Sequence, residues 1–383
     1  MYGDLNLGYV RAALVVDTGA IAQNVRLIRK IVGTKTAVMA VVKADGYGLG
    51  AEEVAKAALG AGAGWLGVST VKEGLALREA GIDAPVLTLS PVFGEEFDPL
   101  VRAELGATVF SLETCRMLSA AAARQGKRAR VHIKIDTGMN RVGYAYGDID
   151  RIIYEITETA KLPGVYIEGV CSHLATSDTD ATFAREQYSR FMAVVYKLEY
   201  AGIHVHMRHI SNSGGVINHP ELNLDMVRCG ILTYGLAPCS TAEGARDLEE
   251  RGFRQAFTLR SRVAHVKTVR QGEGVGYSRN YYAPRDIQVV TVPIGYADGI
   301  SRRLSNSGDV LINGKICPII GNVCMDQFMV DATDAGAKIR DEVIIIGESG
   351  HQRIWPEDIA GQQGSINYEV ATSLALRVPR YYI

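Results

Sequence analysis

A lysine at the end of an apolar run gives the first indication of chemistry in this 383-residue sequence. Lys43 closes the run AVMAVVK and is followed by the glycine-rich segment ADGYGLG, which contains Tyr47. Burial lowers the pKa of a lysine, and the neutral amine is a nucleophile that can attack a carbonyl carbon. An ordinary ion pair between Lys43 and Asp45 explains the position equally well, so the residue types alone leave both interpretations open.

Other polar residues stand directly after apolar runs further along the chain. Arg141 lies in HIKIDTGMNRVG, where a turn over residues 136–143 would present a planar guanidinium to a carboxylate or phenolate oxygen. His173 follows the run in GVCSHLATSD, and the turn HISNSGG offers Asn212 and Ser213, with backbone N–H groups and a hydroxyl for a phosphate. Each also has a plain structural interpretation. Arg141 could form a surface ion pair, His173 could be a buried hydrogen-bonded histidine, and HISNSGG could be a generic turn.

Tyr277 lies in the segment GEGVGYSRNYY in the C-terminal third of the chain. A phenol has an unperturbed pKa of about 10 and acts as a base only where cations or hydrogen bonds stabilise the phenolate. His173 and Arg228 are its candidate neighbours. The structural alternative is a strand-end tyrosine that packs over a neighbouring sheet.

These residues need a repeating strand and helix scaffold to hold them. Between about residues 35 and 235, runs rich in β-branched residues alternate with stretches of helical period, which indicates βα units around a parallel sheet. Eight units favour a closed (β/α)8 TIM-like barrel over an open sheet, because closure removes both edges, and barrel active sites lie at the carboxyl ends of the strands. The strand candidates are residues 37–43, 65–69, 85–90, 107–110, 130–135, 165–172, 206–211 and 226–232.

The pattern changes after about residue 246. Alternating strands such as DIQVVTVPI and EVIIIG, separated by Gly, Asn and Asp turns, predict a second, mostly β domain. The segment RAALVV precedes a helix-like run, so we expect the first dozen residues to return and pair with this sheet. The predicted barrel domain is 13–246, and the predicted β domain combines 1–12 with 247–383.

Composition points to a small-molecule partner. A net charge of −1 with interspersed signs gives no footprint for nucleic acid or an anionic membrane, and no apolar run is long enough for a membrane span. The N-terminus lacks the features of a signal peptide. Six cysteines, none in a CxxC or zinc-like pair, predict reduced thiols, a cytoplasmic protein and no metal site.

The string VVKADGYGLGA around Lys43 resembles the cofactor-lysine signature of the alanine racemase family, in which a tyrosine follows the lysine by four residues. HIKIDTGMNRVG is nearly a full match to a second motif of that family. The resemblance continues in matching order over nearly the whole chain, from VVDTGAIAQN to PIGYADG, CMDQ and the stretch from INYE to RVPR. The sequence is therefore identified as a member of the alanine racemase family, and this identification does not depend on any single motif.

The resemblance implies a role for each matched residue. Lys43 binds pyridoxal 5'-phosphate, and Arg141 contacts the phenolic oxygen of the cofactor and the substrate carboxylate. Lys134 is carbamylated in some members and steadies that arginine. His173 packs by the cofactor ring and helps to orient the catalytic tyrosine. The remaining predicted cofactor contacts are Tyr47, Asn212, Ser213, Arg228, Gly230 and Ile231.

Arg228, by the resemblance, faces the pyridine nitrogen. An arginine can only donate hydrogen bonds, so it binds an unprotonated nitrogen and leaves the ring a weaker electron sink, which disfavours transamination. Related barrel decarboxylases usually place an acid there, so Arg228 favours a racemase. The resemblance also implies a homodimer with shared active sites, in which Tyr277, Tyr296 and Met325 enter from the partner subunit.

The resulting expectation is racemisation of alanine by two bases, Lys43 and Tyr277, on opposite faces of Cα, which supplies D-alanine for peptidoglycan. The sequence departs from the family at Leu49, usually a histidine, and at Leu376, commonly a tyrosine that reaches the phosphate and narrows the entrance. A serine racemase or one of broader specificity is therefore the alternative. A decarboxylase and a cofactor carrier without turnover are rivals that Arg228 and the β domain carrying Tyr277 disfavour.

Overall fold

The computed structural model describes residues 10–383. The part of the prediction that concerns residues 1–9 lies outside the described residues. The chain forms two compact units. The barrel unit comprises Ile21–Gly46 and Ala51–Thr233, and the β unit comprises the described residues up to Ala20, Tyr47–Gly50 and Tyr234–Ile383. The domain limits given from the sequence, 13–246 with 1–12 and 247–383, stay a prediction.

Eight parallel strands form the barrel, and each coincides with a predicted strand. Every neighbouring pair is parallel, and the eighth strand lies beside the first with Met226 opposite Ala37. Backbone hydrogen bonds from Asp225 N to Arg208 O and from Arg228 N to Ser211 O join the eighth strand to the seventh, so the ring is nearly closed. The strands are Ala37–Val41, Trp65–Val68, Val86–Thr88, Gly106–Val109, Ala129–Asp136, Val165–Cys171, Met207–His209 and Met226–Cys229.

Helices cover the outside of these strands, as the (β/α)8 prediction requires. Their starts carry side-chain caps: Thr70 and Glu73 form a capping box, and Ser111 and Asp180 accept from backbone N–H groups of the first turn. The helices of this unit, with the one that precedes it, are Thr18–Val32, Ala51–Gly60, Val71–Glu79, Phe97–Arg102, Leu112–Gln125, Ile149–Ala160, Ala181–Tyr200 and Ser213–Asn218.

The second unit is mostly β, as the sequence predicts. Its main sheet is antiparallel except at one edge, where Ala12–Val16 pairs in parallel with Arg380–Tyr382. The other strands are Phe257–Arg262, His265–Val269, Ile287–Val292, Asp309–Ile312, Lys315–Ile320, Phe328–Asp331, Glu342–Ser349 and Gln352–Ile354, with a separate hairpin of Gly274–Val275 and Tyr281–Tyr282. Helices Ala242–Glu250, Pro356–Gln363 and Asn367–Thr372 complete the unit.

The N-terminal strand is the part of the chain that returns to this sheet. Ala12–Val16 pairs antiparallel with Phe257–Arg262, with Leu14 opposite Leu259, and all five of its residues are buried. Of the first dozen residues, the structure describes residues 10–12, and among these only Ala12 lies in the paired strand, which continues to Val16. In the described part of the chain, no helix is long and apolar enough to cross a membrane.

Candidate active site

The backbone after Lys43 turns with the wrong hand for a helix of L-residues. Ala44, Asp45 and Gly46 have φ values of 52°, 53° and 61°, and Tyr47 continues at 55°. Left-handed helical geometry costs roughly 1–2 kcal/mol for each residue that has a Cβ atom. Strain of this kind persists where surrounding contacts enforce it, and such places cluster at functional sites.

Three hydrogen bonds hold this turn. Ala44 N donates to Glu73 Oε1 at 2.7 Å, Ala51 N donates to Asp45 Oδ1 at 2.9 Å, and Gly46 N donates to Val42 O at 2.8 Å. Glu73 also accepts from Ser69 N and Thr70 N through its other oxygen, at 2.6 and 3.1 Å. One carboxylate thus caps the helix Val71–Glu79 and anchors the turn that carries Lys43.

Lys43 is half-buried at the carboxyl end of the first barrel strand. Burial lowers the pKa of its amine, the charge of Arg141 lowers it further, and Glu73 partly opposes both. Within the described part of the chain Lys43 makes no ion pair with Asp45, whose carboxylate binds Ala51 N instead. The ion-pair interpretation of the sequence is therefore wrong, and the lowered pKa makes it easier for the amine to lose its proton.

Lys43 belongs to a group of basic residues that lie on four barrel strands or directly after them. Burial lowers the pKa of Lys134 to about 7, with Arg228 and Arg141 adding to the effect. Burial also holds the pKa of His173 well below its usual value, again with Arg228, Lys134 and Arg141 contributing. Mutual repulsion among these groups means that an anion bound near them would be stabilised.

Arg228 is buried and fixed by four acceptors. Its Nη2 donates to Ser172 O at 2.7 Å, to Ile210 O at 3.1 Å and to His173 Nδ1 at 3.1 Å, while Nη1 donates to His209 Nδ1 at 2.7 Å. An arginine has five N–H donors and no acceptor, so every one of these partners must accept. The contact with His173 confirms that two of the predicted site residues meet.

The loop that carries Arg141 is shaped by the carboxylate of Asp136. Asp136 Oδ1 accepts from Gly138 N at 2.9 Å and from Asn140 N at 3.0 Å, which closes the predicted turn. Gly143 ends the turn with a φ of 132°, and a Cβ atom there would lie 2.7 Å from Asp136 N. Arg141 itself is exposed, so its guanidinium is available to a ligand.

The loops after the seventh and eighth strands are tied together. Asn212 caps the helix Ser213–Asn218 by accepting from Gly215 N at 3.0 Å, and Ser213 Oγ accepts from Leu232 N at 3.3 Å. Gly230 and Ile231 are buried directly before that amide. The structure thus brings Ser213 close to the Gly230–Ile231 segment, as expected for a common binding site.

The remaining predicted residues lie in the β unit. Tyr47 is buried, with its ring 4.8 Å from that of Tyr234. Tyr277 is 72% exposed. Tyr296 and Met325 are also exposed, and their segments are joined because Tyr296 N donates to Cys324 O and Ala297 N to Met325 O.

Sequence reasoning missed several polar residues that the structure connects to this site. Glu73 anchors the Lys43 turn, and His209 binds Arg228. His132 contacts His209 on its other side, and Glu168 lies next to His132. A signal was present in the sequence, since strands of a parallel barrel are buried on both faces and polar residues inside them need partners. HIKID and HMRHIS contain such residues.

Comparison with known proteins decides the family. Residues 16–238 match the family model described as alanine racemase, N-terminal domain, and residues 256–382 match the alanine racemase C-terminal domain. The chain belongs to the alanine racemase family. It is therefore an isomerase that acts as an amino-acid racemase.

Three relatives illustrate how much of an alanine racemase the chain shares. Alanine racemase 2 of Caldanaerobacter subterraneus subsp. tengcongensis is 42% identical over 96% of this chain and 94% of its own length. The alanine racemase crystal structure from Streptomyces lavendulae is similar with a TM-score of 0.93 at 35% identity, covering 98% of each chain. That of Bartonella henselae alanine racemase with covalently bound pyridoxal phosphate has a TM-score of 0.85 at 28% identity, covering 98% of this chain and all of the other.

We predict that Glu73→Gln loosens the left-handed turn. An amide oxygen can replace only part of the accepting capacity of the carboxylate, so the free energy of unfolding should fall by about 1–2 kcal/mol. Urea unfolding measures that loss, and hydrogen exchange of a peptide spanning residues 43–47 measures the local effect.

The matched control is Glu52→Gln, which removes an exposed pair with Lys56. That change should stay within about 0.5 kcal/mol. Equal exchange of the 43–47 peptide in both variants would show that the turn does not depend on Glu73.

Proposed function

We propose that the chain interconverts L-alanine and D-alanine with pyridoxal 5'-phosphate bound to Lys43, and that the D-alanine supplies peptidoglycan. The supporting observation is the half-buried Lys43, with its lowered pKa, on an enforced left-handed turn. A neutral amine at the end of a barrel strand is the group required for a covalent bond to a carbonyl carbon.

The donor set around Lys43 fits an anionic cofactor. Lys43, Arg141 and Arg228 are cationic or donor-only, and their mutual repulsion would be relieved by a phosphate and a phenolate oxygen. The crystal structure from Bartonella henselae supports the choice, because its cofactor is covalently bound pyridoxal phosphate. The residues that would hold the group are Lys43, Tyr47, Arg141, His173, Asn212, Ser213, Arg228, Gly230 and Ile231.

Proton transfer is assigned to two side chains. When bound, the cofactor supplies an electron sink that acidifies the Cα hydrogen of the substrate. Lys43 removes this proton from one enantiomer, and Tyr277 of the partner subunit removes it from the other. Each group, once protonated, acts as the acid that returns a proton when the reaction runs in the opposite direction. Arg141, with Tyr296 and Met325 of the partner subunit, positions the substrate.

Arg228 and Lys134 have supporting roles in this proposal. Because Arg228 can only donate, it leaves the ring nitrogen unprotonated, which favours return of a proton to Cα over transamination. Lys134, with a pKa of about 7, has a substantial neutral fraction at neutral pH. Neutral amines react with carbon dioxide, and the resulting carbamate would place a negative charge near Arg141.

We predict that Lys43→Ala abolishes covalent cofactor attachment and essentially all racemisation, since no other lysine ends the first barrel strand. Borohydride reduction followed by peptide mapping checks the assignment. The exposed Lys56→Ala serves as the control and should keep both properties. Label on a lysine other than Lys43 would refute the proposal.

We predict that an active site needs two chains. Lys43→Ala and Tyr277→Phe homodimers should each be nearly inactive, and mixing the two folded proteins should restore activity through heterodimers with one intact site. Exchanged heterodimers that stay inactive would contradict a shared site. Deuterium uptake from each enantiomer in Tyr277→Phe shows which one depends on the phenol.

Broader specificity is a second candidate function, and Leu376 is the observation that favours it. Leu376 does not pack in the core of this chain, because the residue is 82% exposed. Where the family commonly has a tyrosine, this position therefore lacks a hydroxyl and a ring. A pocket without such a group discriminates weakly against one added hydroxyl, by roughly 10² or less.

We therefore predict measurable racemisation of serine beside alanine. Leu376→Tyr should lower the serine-to-alanine ratio of kcat/KM, by up to about two orders of magnitude. Leu376→Met keeps an apolar chain of similar volume and should leave the ratio unchanged. If Leu376→Tyr has the wild-type ratio, this position does not control substrate choice.

A further inference from the structure

Four side chains from four consecutive barrel strands form a line that ends at Arg228. His209 Nδ1 lies 2.7 Å from Arg228 Nη1, and His209 Nε2 lies 2.9 Å from His132 Nδ1. On the far side of His132, its Nε2 lies 3.4 Å from Glu168 Oε2. Both imidazoles are fully buried, so water does not replace any partner in the line.

The backbone leaves room for the line. His132 and His209 stand on the fifth and seventh strands, which are not neighbours, so their side chains meet across the sixth strand. The residue of that strand opposite His132 is Gly169, where a Cβ atom would lie 2.6 Å from His132 Nδ1. Trp65 packs edge-on against His132, with 5.6 Å between the two ring centroids, and restricts rotation of the His132 ring.

Arg228 determines where the protons in the line lie. Because a guanidinium only donates, His209 Nδ1 must accept, and the proton of the neutral imidazole is on Nε2. That N–H then donates to His132 Nδ1, which places the His132 proton on Nε2 as well. This N–H is on the side of the ring that faces Glu168, whose carboxylate can only accept.

Reversing either imidazole is disfavoured. A His209 proton on Nδ1 would face an arginine donor, and a His132 proton on Nδ1 would face the His209 donor, at 2.7 and 2.9 Å. His132 Nε2 and Glu168 Oε2 are both buried, and neither makes a hydrogen bond to another residue in the described part of the chain. Glu168 is therefore the acceptor at the end of the line, and a small rotation of its carboxylate would complete the bond.

We propose that Glu168 is a positioning residue for Arg228, acting through the fixed tautomers of His132 and His209. The line holds the Nη1 end of the guanidinium, while the carbonyls of Ser172 and Ile210 hold Nη2. Arg228 Nε, which makes no hydrogen bond to a described residue, is then kept available for a ring nitrogen. The inference rests on the proposed function, in which Arg228 faces that nitrogen, but the tautomers are measurable without it.

The first test is nitrogen-15 NMR of the holoenzyme labelled in histidine, with His132 and His209 assigned through single substitutions. We expect an unprotonated Nδ1 and a protonated Nε2 in both rings. A proton on Nδ1 of either ring would overturn the proposal. This result is independent of turnover, whereas borohydride mapping of Lys43 tests the proposed function, so failure of one is distinguishable from failure of the other.

The second test compares Glu168→Leu with Glu168→Gln, measured as kcat per bound cofactor. Leucine removes the acceptor, so kcat should fall about tenfold, the effect of one lost hydrogen bond, while the KM for alanine stays within about twofold. Glutamine retains an acceptor and should stay within about threefold of wild type. Arg130→Gln is the control, because it removes only the exposed partner of Glu168.

Equal losses of kcat in the leucine and glutamine variants, or wild-type kcat in the leucine variant, would overturn the proposal. If Glu168→Leu does not fold, the tautomers of the wild-type protein still decide between the outcomes, since the assignment of both protons follows from the line itself.

Discussion

Among the described residues, no carboxylate forms an ion pair with Arg228 or Arg141, and much of the site follows from that constraint. Arg228 is buried, and burial followed by the charge of Arg141 lowers its pKa. An arginine nevertheless stays charged at neutral pH. Its donors must therefore be matched by acceptors, which are two carbonyl oxygens and two imidazole nitrogens from the sixth and seventh strands.

The same charge helps to lower the pKa values of the two lysines and of His173. Arg141 contributes to the lowered pKa of Lys43 and of Lys134, and Arg228 contributes to those of Lys134 and His173. Burial is the larger cause in each case, and repulsion acts in the same direction. The lowered pKa of Lys43 thus depends on Arg141 as well as on burial.

Much of this arrangement could be predicted from the sequence because parallel strands of a barrel end at one mouth. Runs of β-branched residues predict all eight strands, and residues directly after those runs, such as Lys43 and His173, interact electrostatically in the structure. The left-handed turn was not predictable in the same way, since Ala44, Asp45 and Tyr47 are not residues that favour positive φ as glycine does. Glu73 and the line from Glu168 to Arg228 depend on register between strands and helices, which local patterns do not encode.

The exposure of Tyr277 is a further argument for a site completed by a second chain. A phenolate needs cations or donors around it, and most of the Tyr277 side chain is open to solvent. The barrel unit has the opposite imbalance, because its cations repel one another. Bringing the phenol of one subunit to the cations of another would satisfy both requirements, since the phenolate would be stabilised and part of the repulsion relieved. In the two-base proposal, therefore, neither unit by itself has the charge balance that proton transfer on both faces of Cα requires. Two subunits together would provide it.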